Sequence, residues 1–248
     1  MADQPVPDLS VVIPAYNEER FLPRSIQSLR RAMECYQRER GGRAELIVVD
    51  NNSTDRTADV AREWGANVIA EPVNSIARAR NAGARIARGR LLAFCDADNE
   101  VNERLLCEIH DHLLRVDTVG GGTLVKPEKF SFTVAVYFGV WKIFQWLGQV
   151  GVGVMHCRRE DFDAVGGFDE GIYAGEDVDF AYRLKQRGRP LRQRFRILRR
   201  AWIVTSMRKV DQFSFWHITR EMLRFVPNIK GRVRDKRYCG LWYDQVKR

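Results

Sequence analysis

The chain has 248 residues, 45% of them hydrophobic, and 41 Lys and Arg against 32 Asp and Glu give it a formal charge of +9. That length and apolar content suit a single α/β domain with its own core, and no repeat or low-complexity linker divides it. Five cysteines, Cys35, Cys95, Cys107, Cys157 and Cys239, are odd in number and scattered without a Cys-x-x-Cys pair, which argues against a disulfide framework and for free thiols in a reducing compartment.

Residues 9–19 read as a short apolar strand broken by Pro14 and followed by the polar turn Tyr16-Asn17-Glu18. Leu22, Ile26, Leu29 and Met33 then recur at helical spacing until Gly41-Gly42 stops the segment. A second strand, residues 46–49, runs into Asp50-Asn51-Asn52-Ser53-Thr54-Asp55, with Asp55 placed to cap a helix over residues 56–64. An apolar patch at 67–70, a helical pattern over 76–87 and a strand in the run Leu92-Ala93-Phe94-Cys95-Asp96-Ala97-Asp98, carrying the two acids at its end, complete the series. Strands alternating with helices predict a mostly parallel central sheet flanked by helices, Rossmann-like in its layering. In such sheets ligands bind beyond the carboxyl ends of the strands. Three polar clusters fall at those ends: Tyr16-Asn17-Glu18, Asp50-Asn51-Asn52 and Asp96-Ala97-Asp98.

The third cluster carries the most chemistry. In extended chain alternate residues point the same way, so Asp96 and Asp98 are expected to converge on one divalent metal, such as Mg²⁺, and to leave positions open for phosphates. The plainer reading of an isolated Asp-x-Asp is a turn with a helix cap. Glycine signatures for nucleotides are missing: there is no G-x-G-x-x-G after the first strand and no P-loop. An EF-hand is excluded by Val101 and Cys107 where that loop needs Gly and Glu. Phosphate handling therefore falls to metal, carboxylates and nearby cations, Arg78 and Arg80.

Five motifs now stand in order: Val12-Ile13-Pro14-Ala15-Tyr16-Asn17-Glu18-Glu19, Val48-Val49-Asp50-Asn51-Asn52-Ser53-Thr54-Asp55, Ala79-Arg80-Asn81-Ala82-Gly83, Phe94-Cys95-Asp96-Ala97-Asp98, and Gly166-Gly167-Phe168-Asp169-Glu170 with Gly175-Glu176-Asp177-Val178-Asp179. Over roughly residues 9–188 the chain resembles the family 2 glycosyltransferases of the GT-A fold. The resemblance implies an inverting, nucleotide-sugar-dependent transferase. Pro14, Tyr16, Glu18, Asp50 and Asn51 would line the base and ribose pocket, with Arg78 on the donor side. Asp96 would face ribose or metal, Asp98 would be the metal ligand, Asp177 the general base and Glu176 its partner. Asn99 stands where many relatives carry a third acid. Glu176 and Asp177 would open a helix over 178–186, where acids also complement the helix dipole.

Beyond the motifs the sequence is less specific. The apolar segment 132–154 is interrupted by Lys142, Gln145 and Gln149 and reads as an amphipathic helix over 132–147, followed by a strand around 152–155, not as a membrane span. Tyr137, Trp141, Phe144 and Trp146 offer core or aromatic surface for a sugar or lipid. His110 and His112 lie two apart on a helix and do not share a face; His156 is expected beside the site wall, and His217 is a candidate to complete a metal shell. From Arg183 to the end, 20 Lys and Arg against 4 Asp and Glu give +16 and leave the preceding part at −7. The expected organisation is a catalytic domain over 1–205 and a basic amphipathic helical extension over 206–248. Phe213, Phe215, Trp216, Arg220 and Arg224 suit an anionic membrane surface or a phosphorylated substrate better than nucleic acid. The start lacks the basic and apolar regions of a signal peptide, so the domain is expected in the cytoplasm, peripheral at the inner face of the membrane. The expected partners are a UDP-, GDP- or dTDP-sugar, Mg²⁺ or Mn²⁺, and a sugar or lipid-linked acceptor. The competing function class is a nucleotide- or nucleic-acid-binding module without transferase activity.

Overall fold

Apolar runs too continuous for a one-sided sheet become central strands in the computed structural model of the chain, which describes residues 6–129, 153–206 and 233–235. In chain order the elements are β1 (Leu9–Ala15), α1 (Leu22–Arg40), β2 (Ala44–Asp50), α2 (Thr57–Glu63), β3 (Asn67–Ala70), α3 (Ile76–Ile86), β4 (Leu91–Phe94), β5 (Asn99–Val101) and α4 (Leu105–Leu113). They continue with β6 (Thr118–Pro127), β7 (Met155–Arg158), α5 (Arg159–Ala164), α6 (Glu176–Gly188) and β8 (Arg194–Thr205). The described strands form one mixed sheet in the order β3-β2-β1-β4-β7-β6-β8-β5. The pairs β1–β2, β1–β4, β2–β3 and β6–β8 are parallel, whereas β7 runs antiparallel to β4 and β6, and β5 antiparallel to β8.

Alternation along each strand feeds two cores. Leu9, Val11 and Ile13 of β1, Leu46 and Val48 of β2 and Leu91 and Ala93 of β4 pack with α1, α2 and α4 on one face. Val12, Ile47, Val49, Leu92 and Phe94 pack with α3, α5 and α6 on the other. Leu22, Ile26 and Leu29 are fully buried along α1, as their spacing predicts, while Met33 lies partly buried at the margin. Gly83 sets the approach of α3 to the sheet, since a Cβ there would lie 2.3 Å from Val12 Cγ1 and 3.0 Å from Val49 Cγ2.

The boundaries differ from the sequence reading in three places. Helix α2 begins at Thr57 with Arg56 in the cap position, so Asp55 sits one residue further out, although its carboxylate still accepts the Thr57 N–H at 2.9 Å. Strand β7 begins at Met155, because pairing with β4 starts at Phe94–Met155 while the Val154 N–H turns to Thr123 Oγ1 at 3.0 Å. Helix α6 starts at Glu176, so both acids of the Glu-Asp pair are helical. The expected helix over 132–147, its aromatic residues, His217, Cys239 and the tail other than Ser206 and 233–235 lie outside the described residues. Among the described residues no helix is long and apolar enough to cross a membrane.

Candidate active site

The carboxyl ends of the first strands are knitted into one rim. Asn51 N–H donates to the Ala15 carbonyl (2.8 Å), Glu71 N–H to the Asp50 carbonyl (2.8 Å) and Cys95 N–H to the Val12 carbonyl (3.0 Å). The β1 turn is then stitched to the β2 turn: Asn17 N–H donates to Ser53 Oγ (3.0 Å), Thr54 N–H to Asn17 Oδ1 (2.7 Å) and Glu18 N–H to Thr57 Oγ1 (2.7 Å). Pro14, Tyr16 and Asp50 keep part of their surface on this rim, whereas Glu18 and Asn51 are buried. Asn51 is a scaffold as well as a rim residue, because its Oδ1 accepts the Ser75 N–H (3.2 Å) that starts α3.

The acidic pair does not lie on a strand. Strand β4 stops at Phe94, and Ala97-Asp98 form a turn in which Asn99 N–H donates to the Asp96 carbonyl (3.2 Å). The two side chains take different neighbours. Asp96 Oδ1 accepts from Arg80 Nη2 at 2.9 Å, while Asp98 lines a small cavity with Phe21, Arg24, Glu100, Glu128 and Thr205. Arg24 pairs with both Glu100 and Glu128 there. The acidic donors around Asp98 are oxygens, the chemistry a hard cation takes, and one or two carboxylates suffice for Mg²⁺ when phosphates complete the shell. Asp98 thus offers an oxygen donor of the kind a divalent ion takes, beside glutamates that Arg24 holds in this structure.

On the opposite side of Arg80 lies the Glu-Asp pair. Gly175, at φ +78, turns the chain into α6, where the backbone favours glycine. Glu176 is 6% exposed and its Oε1 accepts from Arg80 Nη1 at 2.8 Å. Arg80, 5% exposed, also places its guanidinium 5.1 Å from the Phe168 ring centroid. One buried cation thus ties the end of β4 to the start of α6. Burial pushes the Glu176 carboxyl up to about 7, with Asp177 and Asp96 adding to the rise and Arg80 opposing it. Asp177 is half-buried and is raised too, chiefly by burial and against the pull of Arg80. Its Oδ1 accepts the Val178 N–H at 2.8 Å. A carboxylate with a raised pKa is a better proton acceptor than a solvated one.

With that arrangement in place, comparison with known proteins is decisive: the profile described as "Glycosyl transferase family 2" matches residues 10–150. The chain belongs to glycosyl transferase family 2. Among curated relatives of this family 2 chain, the validoxylamine A glucosyltransferase of Streptomyces hygroscopicus subsp. jinggangensis is 29% identical over 235 residues, covering 75% of this chain and 53% of that protein. A probable glycosyltransferase of Bacillus subtilis is 26% identical over 211 residues, 75% of this chain and 49% of its own length. The chain thus spans about half the length of these relatives. Among solved structures, the mannosyltransferase PcManGT from Pyrobaculum calidifontis, in complex with GDP-Man and Mn²⁺, superposes with a TM-score of 0.66 at 17% identity, over 95% of this chain and 74% of that one. TarS from S. aureus in complex with UDP-GlcNAc gives 0.61 at 18% identity, over 80% of this chain and 58% of that one. The mixed, helix-flanked sheet is therefore the GT-A fold.

Two residues of this family 2 chain take partners that the sequence did not give. Arg78, expected on the donor side, is engaged by Glu71 (3.2 Å) and Glu170 (3.0 Å), and it is Arg80 that reaches the acids. Two positions along a helix turn a side chain by about 200°, so the two arginines leave α3 on different faces. The signal for Arg80 was present: with Ala79 and Gly83 it lies on the buried face of α3, where an arginine needs acidic partners. His156 is a fully buried residue whose Nε2 lies 2.9 Å from His112 Nδ1. Asn81 was quoted only as part of a motif, yet it clamps the Gly166–Glu170 turn. Its Nδ2 donates to the Phe168 carbonyl (2.9 Å) and Glu170 Oε1 (3.0 Å), and its Oδ1 accepts the Phe168 N–H (2.9 Å). Residues 233–235 return to the next loop, where Arg234 pairs with Asp169 (2.6 Å) and Tyr173 N–H donates to the Val233 carbonyl (2.7 Å).

Proposed function

We propose that this chain is an inverting glycosyltransferase that moves a sugar from a nucleoside-diphosphate sugar to an acceptor hydroxyl or phosphate. The observation that carries the reading is the Arg80 bridge, 2.9 Å to Asp96 and 2.8 Å to Glu176, which sets a donor-side acid and the Glu176-Asp177 pair within reach of one guanidinium. Pro14, Tyr16, Glu18, Asp50 and Asn51 form the nucleotide side of the rim. The GDP-Man and UDP-GlcNAc complexes of the structural neighbours support a nucleotide-sugar donor, and the Mn²⁺ of one of them supports a divalent ion. Mg²⁺ or Mn²⁺ held by Asp98 would supply Lewis-acid neutralisation of the leaving diphosphate, while Asp96 stays on Arg80.

The protein's own residues do the rest. For a hydroxyl acceptor, Asp177 receives the proton as the acceptor oxygen bonds to the anomeric carbon, and the bond from that carbon to the diphosphate breaks with its electron pair leaving on the phosphate oxygen. A single displacement inverts the anomeric configuration and leaves no covalent sugar on the enzyme. Glu176, buried against Arg80, orients the start of α6. The test is Asp177→Asn: donor affinity should hold while transfer falls roughly 10²–10⁴-fold, and NMR of the product anomeric proton should report inversion. Full transfer activity in the variant, or a retained configuration, would overturn this mechanism.

The +16 of the C-terminal part supports peripheral docking at the anionic cytoplasmic face of a membrane, where a lipid-linked acceptor would be presented. Vesicle co-sedimentation should favour anionic over neutral lipid and weaken as salt rises; equal binding to both vesicle types would rule it out.

A further inference from the structure

Away from the rim, α1 and α4 bring together a set of metal-ligating atoms that the proposed reaction does not use. Cys35 and Glu39 lie one turn apart near the C-terminal end of α1, and Cys107 lies in the first turn of α4. Helix α1 runs back from the rim, so its last turns lie toward the opposite end of the sheet from the strand ends that carry Asp50 and Asp96. The Cys35 and Cys107 sulfurs are 4.0 Å apart, Cys35 Sγ is 3.4 Å from Glu39 Oε1, and all three ligand atoms lie within 4.8 Å of one another.

The two spacings from Cys35, 4.0 Å to the Cys107 sulfur and 3.4 Å to Glu39 Oε1, are close to the edges of a metal tetrahedron. With Zn–S about 2.3 Å and Zn–O about 2.1 Å, tetrahedral geometry places two sulfurs about 3.8 Å apart and a sulfur and an oxygen about 3.6 Å apart. We propose that Cys35, Cys107 and Glu39 form a structural site for a soft divalent ion of the zinc class, with water in the fourth position on the exposed Glu39 side. Thiolate donors select such an ion over Mg²⁺, so the site is chemically distinct from the oxygen donors around Asp98.

The surrounding charges suit the loaded state. Two thiolates and a carboxylate around a divalent ion sum to −1, and Arg104 Nη1 lies 3.1 Å and Arg40 Nη1 3.8 Å from the Glu39 carboxylate. Those guanidiniums offset the residual charge and fix the orientation of the carboxylate, as outer-shell partners of metal ligands do. Cysteine thiols give up their protons when they bind an ion, so the site loads by releasing protons and tightens as pH rises. The sulfurs are almost fully buried, Cys35 2% and Cys107 0% exposed, whereas Glu39 reaches the surface and gives the ion its way in. An ion there would tie α1, whose N-terminal side borders the Asp98 cavity, to α4 on the same face of the sheet.

The test uses the reduced 248-residue chain, freed of metal by chelation and titrated with Co²⁺ and Zn²⁺. One equivalent of Co²⁺ should produce thiolate-to-cobalt charge-transfer absorption, Zn²⁺ should displace it, and Zn²⁺ but not Mg²⁺ should raise the melting temperature in a concentration-dependent way. Cys107→Ser should abolish the absorption band. Glu39→Gln, on the surface and without consequence for the core, should keep the fold by circular dichroism and weaken Co²⁺ binding tenfold or more. Absence of the charge-transfer band, its survival in Cys35→Ser/Cys107→Ser, or unchanged affinity in Glu39→Gln would overturn the site. So would a Cys35–Cys107 disulfide found by mass spectrometry as the pair's product in aerobic, zinc-supplemented buffer. None of these readouts depends on sugar transfer, so the result stands apart from the proposed activity.

Discussion

Replacing Arg80 with Met keeps much of the aliphatic volume and removes the one cation that joins Asp96 to Glu176. Two of the three partners are buried, with side-chain exposures of 7% for Arg80 and 8% for Glu176, so little solvent is available to take over from the guanidinium. Removing one partner of a buried pair costs about 3–5 kcal/mol, because the other charge is stranded. The Asp96 contact adds less than about 1 kcal/mol, since that carboxylate is 49% exposed. Glu176 limits the damage by taking up a proton, and its carboxyl already sits up at about 7. The sign follows from that rise. A carboxyl whose folded pKa lies above its unfolded value gives stability that is whole below about 4.5 and is lost as pH climbs through about 7. Without Arg80 the folded pKa rises further, so Arg80→Met should lose about 3–5 kcal/mol at pH 8 and much less at pH 5. For a chain of this size that corresponds to a melting-temperature drop of roughly 6–20 °C at pH 8. Urea unfolding at both pH values measures it, and Arg80→Met/Glu176→Gln should recover most of the loss. A loss below about 1 kcal/mol at pH 8, or a double variant as unstable as the single one, would refute the account of Arg80 as the clamp of the site.

Three further outcomes are expected. Asp98→Asn should abolish Mn²⁺-dependent donor binding, read by calorimetry, with the melting temperature in metal-free buffer unchanged within a few degrees; unaltered Mn²⁺ dependence would remove Asp98 from the site. Asn81→Ala breaks three hydrogen bonds to the Phe168–Glu170 turn and should cost about 2–3 kcal/mol by urea unfolding, with a wild-type midpoint counting against the clamp. Burial holds the imidazoles of His112 and His156 down at about 4 and about 3. Unfolded chains therefore bind more protons below pH 6.5, and stability from this pair is lost as pH falls from 6.5 toward 4. His112→Gln should flatten that part of the stability profile, and an unchanged slope would show that the pair does not govern it.

The alternation of strands and helices through residue 94 was legible in the sequence because it rests on local rules. Period-two alternation sends Val11 and Val12 to opposite cores, and the spacing of Leu22, Ile26 and Leu29 gives α1 one apolar face. The polar clusters after β1, β2 and β4 fell at the strand ends for the same reason, and their motifs carried the family. Tertiary structure decided which charged groups meet. Arg80 and Glu176 are 96 residues apart, and His112 and His156 are 44 apart, separations over which no local period speaks. Helical spacing sends Arg78 and Arg80 to different faces of α3, and the packing of α3 against the sheet through Gly83 decided that Arg78 meets Glu71 and Glu170 while Arg80 meets Asp96 and Glu176. Likewise the sequence placed two acids two positions apart, and the end of β4 at Phe94 put them in a turn, where they serve different neighbours. Strand order was beyond local reading as well, since β7 enters between β4 and β6 by antiparallel pairing. Side-chain pattern fixes which face of an element is buried, but which buried charge finds which partner depends on how the whole chain closes.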